Sequence, residues 1–172
     1  MLVYNILRII YLEKIKMKEN TCCIFGNRKI TQTNELKESI TLAIEKLITE
    51  EKIHTFLFGS KSQFDSFCLD IVSELKEKYQ HIKRIYVRAE FPNIDEKYKN
   101  YLLSLYEDTY FPDKIRNAGK AAYVERNYEM IDNSKYCIVY YDEQNLPSNR
   151  KSGTKTALLY AEKQNKDFIL FP

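Results

Sequence analysis

The residues with the clearest chemical signature are Ser152, Gly153 and Thr154, in the run Lys151-Ser152-Gly153-Thr154-Lys155-Thr156-Ala157-Leu158. An apolar stretch, Tyr136 to Tyr141, and a polar loop precede them. Helical spacing follows, with Ala157, Leu158 and Ala161 on one side and Lys155 and Glu162 on the other. The order is therefore strand, loop, Ser-Gly-Thr, helix. A glycine lets backbone come close to a ligand, and the first N–H groups of a helix have no intrahelical partners. With the helix dipole they make an anion site, to which the hydroxyls of Ser152, Thr154 and Thr156 can add donors. Plain capping of the helix by Ser152 or Thr154 accounts for the same residues. Two further strand-to-glycine-to-helix junctions, at Gly26-Asn27-Arg28 and Gly59-Ser60-Lys61, shift the balance towards a site.

The elements that must position these loops are legible as alternating patterns. Apolar runs at 21–25, 53–58, 82–88, 136–141 and 167–171 read as strands. Amphipathic segments at 34–50, 64–79, 95–106, 118–133 and from Ser152 to about Gln164 read as helices. Strands alternating with helices predict an α/β fold, a single Rossmann-like domain with a central parallel sheet of about five strands and helices on both faces. Ligands of such sheets sit outside the carboxyl ends of the strands. All three glycine junctions then share one rim, with Arg28 and Lys61 supplying positive charge. A phosphate-bearing ligand suits that rim, although each cation taken alone is equally an ordinary exposed loop residue.

Length and composition set the outer limits. The 172 residues suit one core, and 44% hydrophobic with 30% charged residues is ordinary for a globular chain. A net charge of +3, from 27 basic and 24 acidic residues, falls short of a nucleic-acid-binding composition. Cys22, Cys23, Cys68 and Cys137 all lie in apolar runs, and none is in a C-x-x-C pair. They read as buried reduced thiols, which argues against a disulfide or a zinc site and favours the cytoplasm. Cys22 and Cys23 are expected to point to opposite faces of their strand. Residues 1–12 are apolar with one Arg, too short to cross a bilayer, and lack a small-residue cleavage site. An extra amphipathic helix, a weak membrane-surface segment and sequence upstream of a misplaced start all fit. Residues 1–16 are read as an appendage packed on the body or on a partner chain, leaving room for a homo-oligomer, and residues 17–172 as the working domain. No stable membrane association is expected.

In their order, these loops resemble the SLOG superfamily, the Rossmann-like group of the LOG nucleotide hydrolases and the DprA/Smf DNA-processing proteins. The nearest likeness is to its YpsA-like branch of small bacterial proteins. That branch opens on a strand ending in a Gly-His-Arg-type turn, here Gly26-Asn27-Arg28. Its second strand ends in a glycine turn followed by Phe-Asp, here Gly59-Ser60-Lys61 and Phe64-Asp65. An Arg-x-x-x-Met helix comes next, here Glu125-Arg126-Asn127-Tyr128-Glu129-Met130, and a Gly-Thr turn last, here Ser152-Gly153-Thr154. The resemblance covers about residues 20–172 and departs in two places. Asn27 replaces the usual His. LOG enzymes carry Pro-Gly-Gly-x-Gly-Thr-x-x-Glu, whereas here Lys155 and Thr156 follow Thr154 and no carboxylate comes before Glu162.

The resemblance implies a module that binds a nucleotide or nucleotide-derived phosphate, with little or no turnover. Gly26, Asn27, Arg28, Gly59, Ser60, Lys61, Asp65, Arg126, Ser152, Gly153, Thr154 and Thr156 would line the site, with Asp65 accepting from ribose hydroxyls or capping its helix. The first alternative is a nucleotide N-glycosidase in which Glu125 and Arg126 are catalytic. The second is a DprA-like single-stranded DNA binder, disfavoured because no dense Lys/Arg stripe with interleaved aromatics occurs. No cofactor and no metal is expected.

Overall fold

The computed structural model describes residues 18–144 and 152–172. The expectations for residues 1–16 lie outside them, as does Lys151. Six strands form one all-parallel sheet: β1 (Thr21–Gly26), β2 (Thr55–Phe58), β3 (Lys83–Val87), β4 (Asp108–Tyr110), β5 (Tyr136–Tyr140) and β6 (Asp167–Phe171), in the order β4-β3-β2-β1-β5-β6. Five helices connect them: α1 (Asn34–Thr49), α2 (Gln63–Lys78), α3 (Glu96–Leu105), α4 (Ala122–Asp132) and α5 (Gly153–Lys163). The predicted α/β Rossmann-like domain is thus correct, with one more strand than the five expected. The extra strand is β4, three residues of which the first is exposed, too short to show an apolar period. Its pairing is completed by Arg88 N donating to Tyr110 O at 2.8 Å.

The sheet is buried on both faces because its strands alternate two apolar sets. Cys22, Ile24, Phe56, Phe58, Tyr86, Ile138 and Tyr140 pack against α1, α2 and α3. Cys23, Phe25, Leu57, Val87, Cys137 and Val139 pack against α4 and α5. Adjacent Cys22 and Cys23 therefore do face opposite layers, and all four thiols are free and buried. The helices that link β1 to β4 lie on one face, and α4, leading from β4 into β5, and α5, following β5, lie on the other. The switch falls between neighbouring β1 and β5, which register over Cys22↔Tyr136 to Gly26↔Tyr140. That is where open parallel sheets hold ligands.

Local signals fix the element ends. Thr33, Ser62, Asp95 and Ser152 each accept a backbone N–H of the helix they precede. Past α5, Asn165 takes a left-handed conformation with φ 52°, and the N–H groups of Asn165 and Lys166 return to Glu162 O and Ala161 O. The reversal leads into β6 and lets Lys166 Nζ donate to Ser134 O at 2.6 Å.

Two of the junction glycines are packing glycines. A Cβ on Gly26 would lie 2.4 Å from the Phe64 ring, which is wholly buried. A Cβ on Gly59 would lie 2.6 Å from both Arg126 Nη1 and Met130 Sδ. Around Gly153 the space is open, with nothing within 4 Å of such a Cβ. Gly26→Ala and Gly59→Ala should therefore each lose roughly 1–3 kcal/mol in urea unfolding, the usual scale of overpacking. Gly153→Ala should stay within about 0.5 kcal/mol of wild type, as surface changes do.

Candidate functional site

The carboxyl rim is organised by a buried carboxylate. Asp65, in the first turn of α2, is 2% exposed. Its Oδ1 accepts from Ser60 N at 3.0 Å and makes a longer contact of 3.5 Å with Gly59 N. Its Oδ2 accepts from Ser62 Oγ at 2.7 Å and Ser60 Oγ at 3.1 Å. Ser62 Oγ in turn accepts from Asp65 N, closing the start of the helix. The sequence supplies this lattice as Gly-Ser-x-Ser-x-x-Asp: the serines lie five and three residues before the aspartate, and each hydroxyl can both give and receive. Both oxygens of Asp65 are thus engaged inside the protein.

Arg126 approaches from the other face of the sheet. It lies on α4, is 2% exposed, and donates from Nη1 to Val87 O at 3.2 Å and from Nε to Asn127 Oδ1 at 3.0 Å. Its guanidinium occupies the space a side chain at position 59 would need. Gly59 is therefore the gap in the sheet edge through which α4 reaches towards α2. Burial pulls Arg126 below the ordinary arginine value, while Asp65, then Tyr86, Glu90 and Tyr123, pull it back up. It remains a cation, because no ordinary burial deprotonates a guanidinium at neutral pH.

Asn27 marks the switch point. It is 3% exposed, its Nδ2 donates to Asp142 O at 2.8 Å, and its N donates to Tyr140 O. The same side chain leaves Oδ1 buried without a partner. Its neighbour Arg28 is exposed, with its carbonyl accepting from Gln63 N at 2.9 Å. Lys61 is also exposed. Neither Arg28 nor Lys61 has a side-chain hydrogen bond or ion pair among the described residues.

At α5 the hydroxyls divide into two groups. Ser152 Oγ accepts from Lys155 N at 3.2 Å, and Thr156 Oγ1 donates to Ser152 O at 3.0 Å. Both therefore build the start of the helix, so the capping role is real. The N–H groups of Gly153 and Thr154 and the Thr154 hydroxyl have no partner among the described residues, and Gly153 is exposed. Lys155 pairs with Glu143 at 2.9 Å, holding the helix start near the end of β5. Beside it, a cleft of about 540 Å³ is lined by Tyr141, Asp142, Glu143, Gln144 and Pro172. Its carboxylates make it a poor seat for an anion.

The structure thus brings Gly59, Ser60, Asp65 and Arg126 into direct contact and places Gly26, Asn27, Arg28, Lys61, Ser152, Gly153, Thr154 and Thr156 on the same rim. Glu125 is half-buried on the first turn of α4, with no side-chain partner among the described residues. The sequence reading did not single out Tyr86, Arg88 and Glu90 at the end of β3. Applying the strand-end rule to β3 as well as to the glycine junctions would have found them. No cluster of three or more His, Cys, Asp or Glu that could hold a metal occurs among the described residues. None of their helices is long and apolar enough to cross a membrane.

Burial raises Asp65 above the ordinary aspartate value, against the pull of hydrogen bonds from Ser62 and Ser60 and of the Arg126 charge. A raised value means that the folded state holds the proton more tightly than the unfolded chain. The contribution is complete below the unfolded value of about 3.9 and declines as pH rises through the folded one. In urea unfolding, the stability gap between wild type and Asp65→Asn should therefore narrow as pH is raised from below 4 to 7; a widening gap would contradict this assignment. Asp65→Ala should lose about 3 kcal/mol at pH 7, since it strands buried donors and Arg126.

Comparison with known proteins places the chain in a family. The chain is 32% identical to the uncharacterized SPbeta prophage-derived protein YoqJ of Bacillus subtilis (strain 168), over 75% of this chain and 81% of that one. The family model YpsA matches residues 17–171, which span all six strands and all five helices. The chain belongs to the YspA SLOG family.

Proposed function

We propose that the protein binds a nucleotide or nucleotide-derived phosphate at the carboxyl rim and turns it over slowly or not at all. The observation that carries this reading is the unequal state of the two helix starts on that rim. At α2 the anion position is filled from within by Asp65, which takes Ser60 N and the serine hydroxyls. At α5 the N–H groups of Gly153 and Thr154 have no partner among the described residues, and nothing lies within 4 Å of a Cβ built on Gly153. An anion there gains the N–H groups, the dipole and the Thr154 hydroxyl. Arg28 and Lys61, exposed and unpaired among the described residues, supply charge from neighbouring loops.

Slow or absent turnover follows from the chemistry around that phosphate. Cleavage of an N-glycosidic bond passes through an oxocarbenium-like state that a nearby carboxylate must stabilise. The positions after the Gly-Thr turn are Lys155, paired with Glu143, and Thr156, bonded to Ser152 O. Asp65 is already fully engaged. Contacts to the phosphate alone hold ground and transition states about equally, so they bind without accelerating.

Ribonucleoside monophosphates at about 100-fold over Kd should stabilise the protein by about 2.7 kcal/mol, a rise of roughly 5–10 °C in Tm. Gly153→Val should abolish that rise while the ligand-free Tm stays near that of wild type, because the new side chain enters open space where the phosphate would sit. Chromatography of the same mixtures should find no free base. Rapid base release that disappears in Glu125→Gln would replace this reading with the hydrolase one.

A further inference from the structure

The two edges of the sheet differ in character. At one edge β4 has only three residues, Asp108-Thr109-Tyr110, and opens on a charge. At the other, β6 offers Phe168-Ile169-Leu170-Phe171, an apolar run without lysine or proline, and no strand flanks its outer side among the described residues. Edge strands expose unpaired backbone N–H and C=O groups, and folded chains shorten, charge or cover them. Along this run β6 is neither short nor charged. Phe168 and Leu170 are 36% and 48% exposed, on the face of their register partners Cys137 and Val139. Ile169 and Phe171, on the opposite face, are only partly buried. The helices adjoining β5 and β6 in the chain, α4 and α5, both lie on the Cys137 face. The outer flank of β6 is therefore apolar and incompletely covered.

The chain holds a segment that matches it. Residues 1–16 precede the family match, which begins at residue 17. Leu2, Ile6, Leu7, Ile9, Ile10 and Leu12 make the segment apolar, with Arg8 the one charged side chain up to position 12. The place where it joins the body is fixed. Asn20 O accepts from His54 N at 3.0 Å and Thr55 N at 3.1 Å, at the foot of β2. Lys135 N donates to Thr21 O at 2.8 Å, at the foot of β5. β6 starts beside β5, with Asp167 opposite Tyr136. Two strand spacings, about 10 Å, thus separate the start of β1 from the foot of β6. Burial first, and then the charge of Lys18, hold Lys166 just before β6 below the ordinary lysine value. Residues 1–16 reach about 24 Å as a helix and about 50 Å when extended, and β6 is about 17 Å long. Either conformation spans the strand.

We propose that residues 2–12 of this same chain lie along β6 and cover its apolar flank. A tethered segment meets its seat at an effective concentration of about a millimolar, which favours it over a second copy or a lipid surface.

The test is crosslinking in the full chain. Ile6→Cys, Ile9→Cys and Leu12→Cys are each combined with Leu170→Cys, or with Leu42→Cys on exposed α1 as the control. The four native thiols are buried and do not compete under native conditions. Isotope-labelled and unlabelled chains are mixed, treated with a short bismaleimide and read as linked peptides by mass spectrometry. At least one pairing with position 170 should link within one chain at about tenfold the yield of its position 42 control, the mark of a docked segment. Ile9→Asp in the full chain should also speed amide exchange across β6 about tenfold and leave β1 unchanged, as local opening does. Circular dichroism should match wild type for every variant. Links that join labelled to unlabelled chains would give the flank to a second copy and overturn the proposal. Yields no higher than the control at all three positions, with β6 exchange unmoved by Ile9→Asp, would also overturn it.

Discussion

The rim depends on the burial of one carboxylate. Asp65 must leave water to take its place at the head of α2, and an isolated charge there would be prohibitively costly. Ser60, Ser62 and the turn N–H groups offset that cost, and Arg126 reaches it electrostatically across the sheet edge. For the arginine to come this close, position 59 must carry no side chain. One buried charge therefore dictates a glycine, two serines and an arginine from a distant helix.

The same constraint separates structure from function along the rim. The two helix starts look alike in sequence, each a glycine and hydroxyl-rich turn after an apolar strand. At α2 the dipole is answered by the chain itself, which rigidifies the loop after β2 against both layers. At α5 the hydroxyls of Ser152 and Thr156 shape the helix, while the N–H groups of Gly153 and Thr154 have no partner among the described residues. On the proposed reading, the fixed loop after β2 serves preorganisation: its ordering cost is met in folding and need not be met again on binding.

The fold was legible because both periods were strong. Cys22 to Phe25 and Tyr136 to Tyr140 are doubly buried strands, while Ile40, Ile44 and Leu47 keep helical spacing. β4 escaped because Asp-Thr-Tyr is too short to show a period. At the site, the positions of the glycine junctions were legible and their causes were not. Gly26 and Gly59 read as ligand-facing, but the atoms that demand them are Phe64, Arg126 and Met130, and long-range contacts leave no trace in local pattern.

The central claim is that Asp65 fills the anion position at α2 and leaves α5 as the phosphate seat. A titration of the amide-resolved NMR spectrum with a ribonucleoside monophosphate tests it directly, because each backbone N–H reports its own partner. The account requires saturable shifts at Gly153 and Thr154, with Gly59 and Ser60 holding still against Asp65. Shifts that centre on Gly59 and Ser60 instead, or no movement at α5 at millimolar ligand, would contradict it.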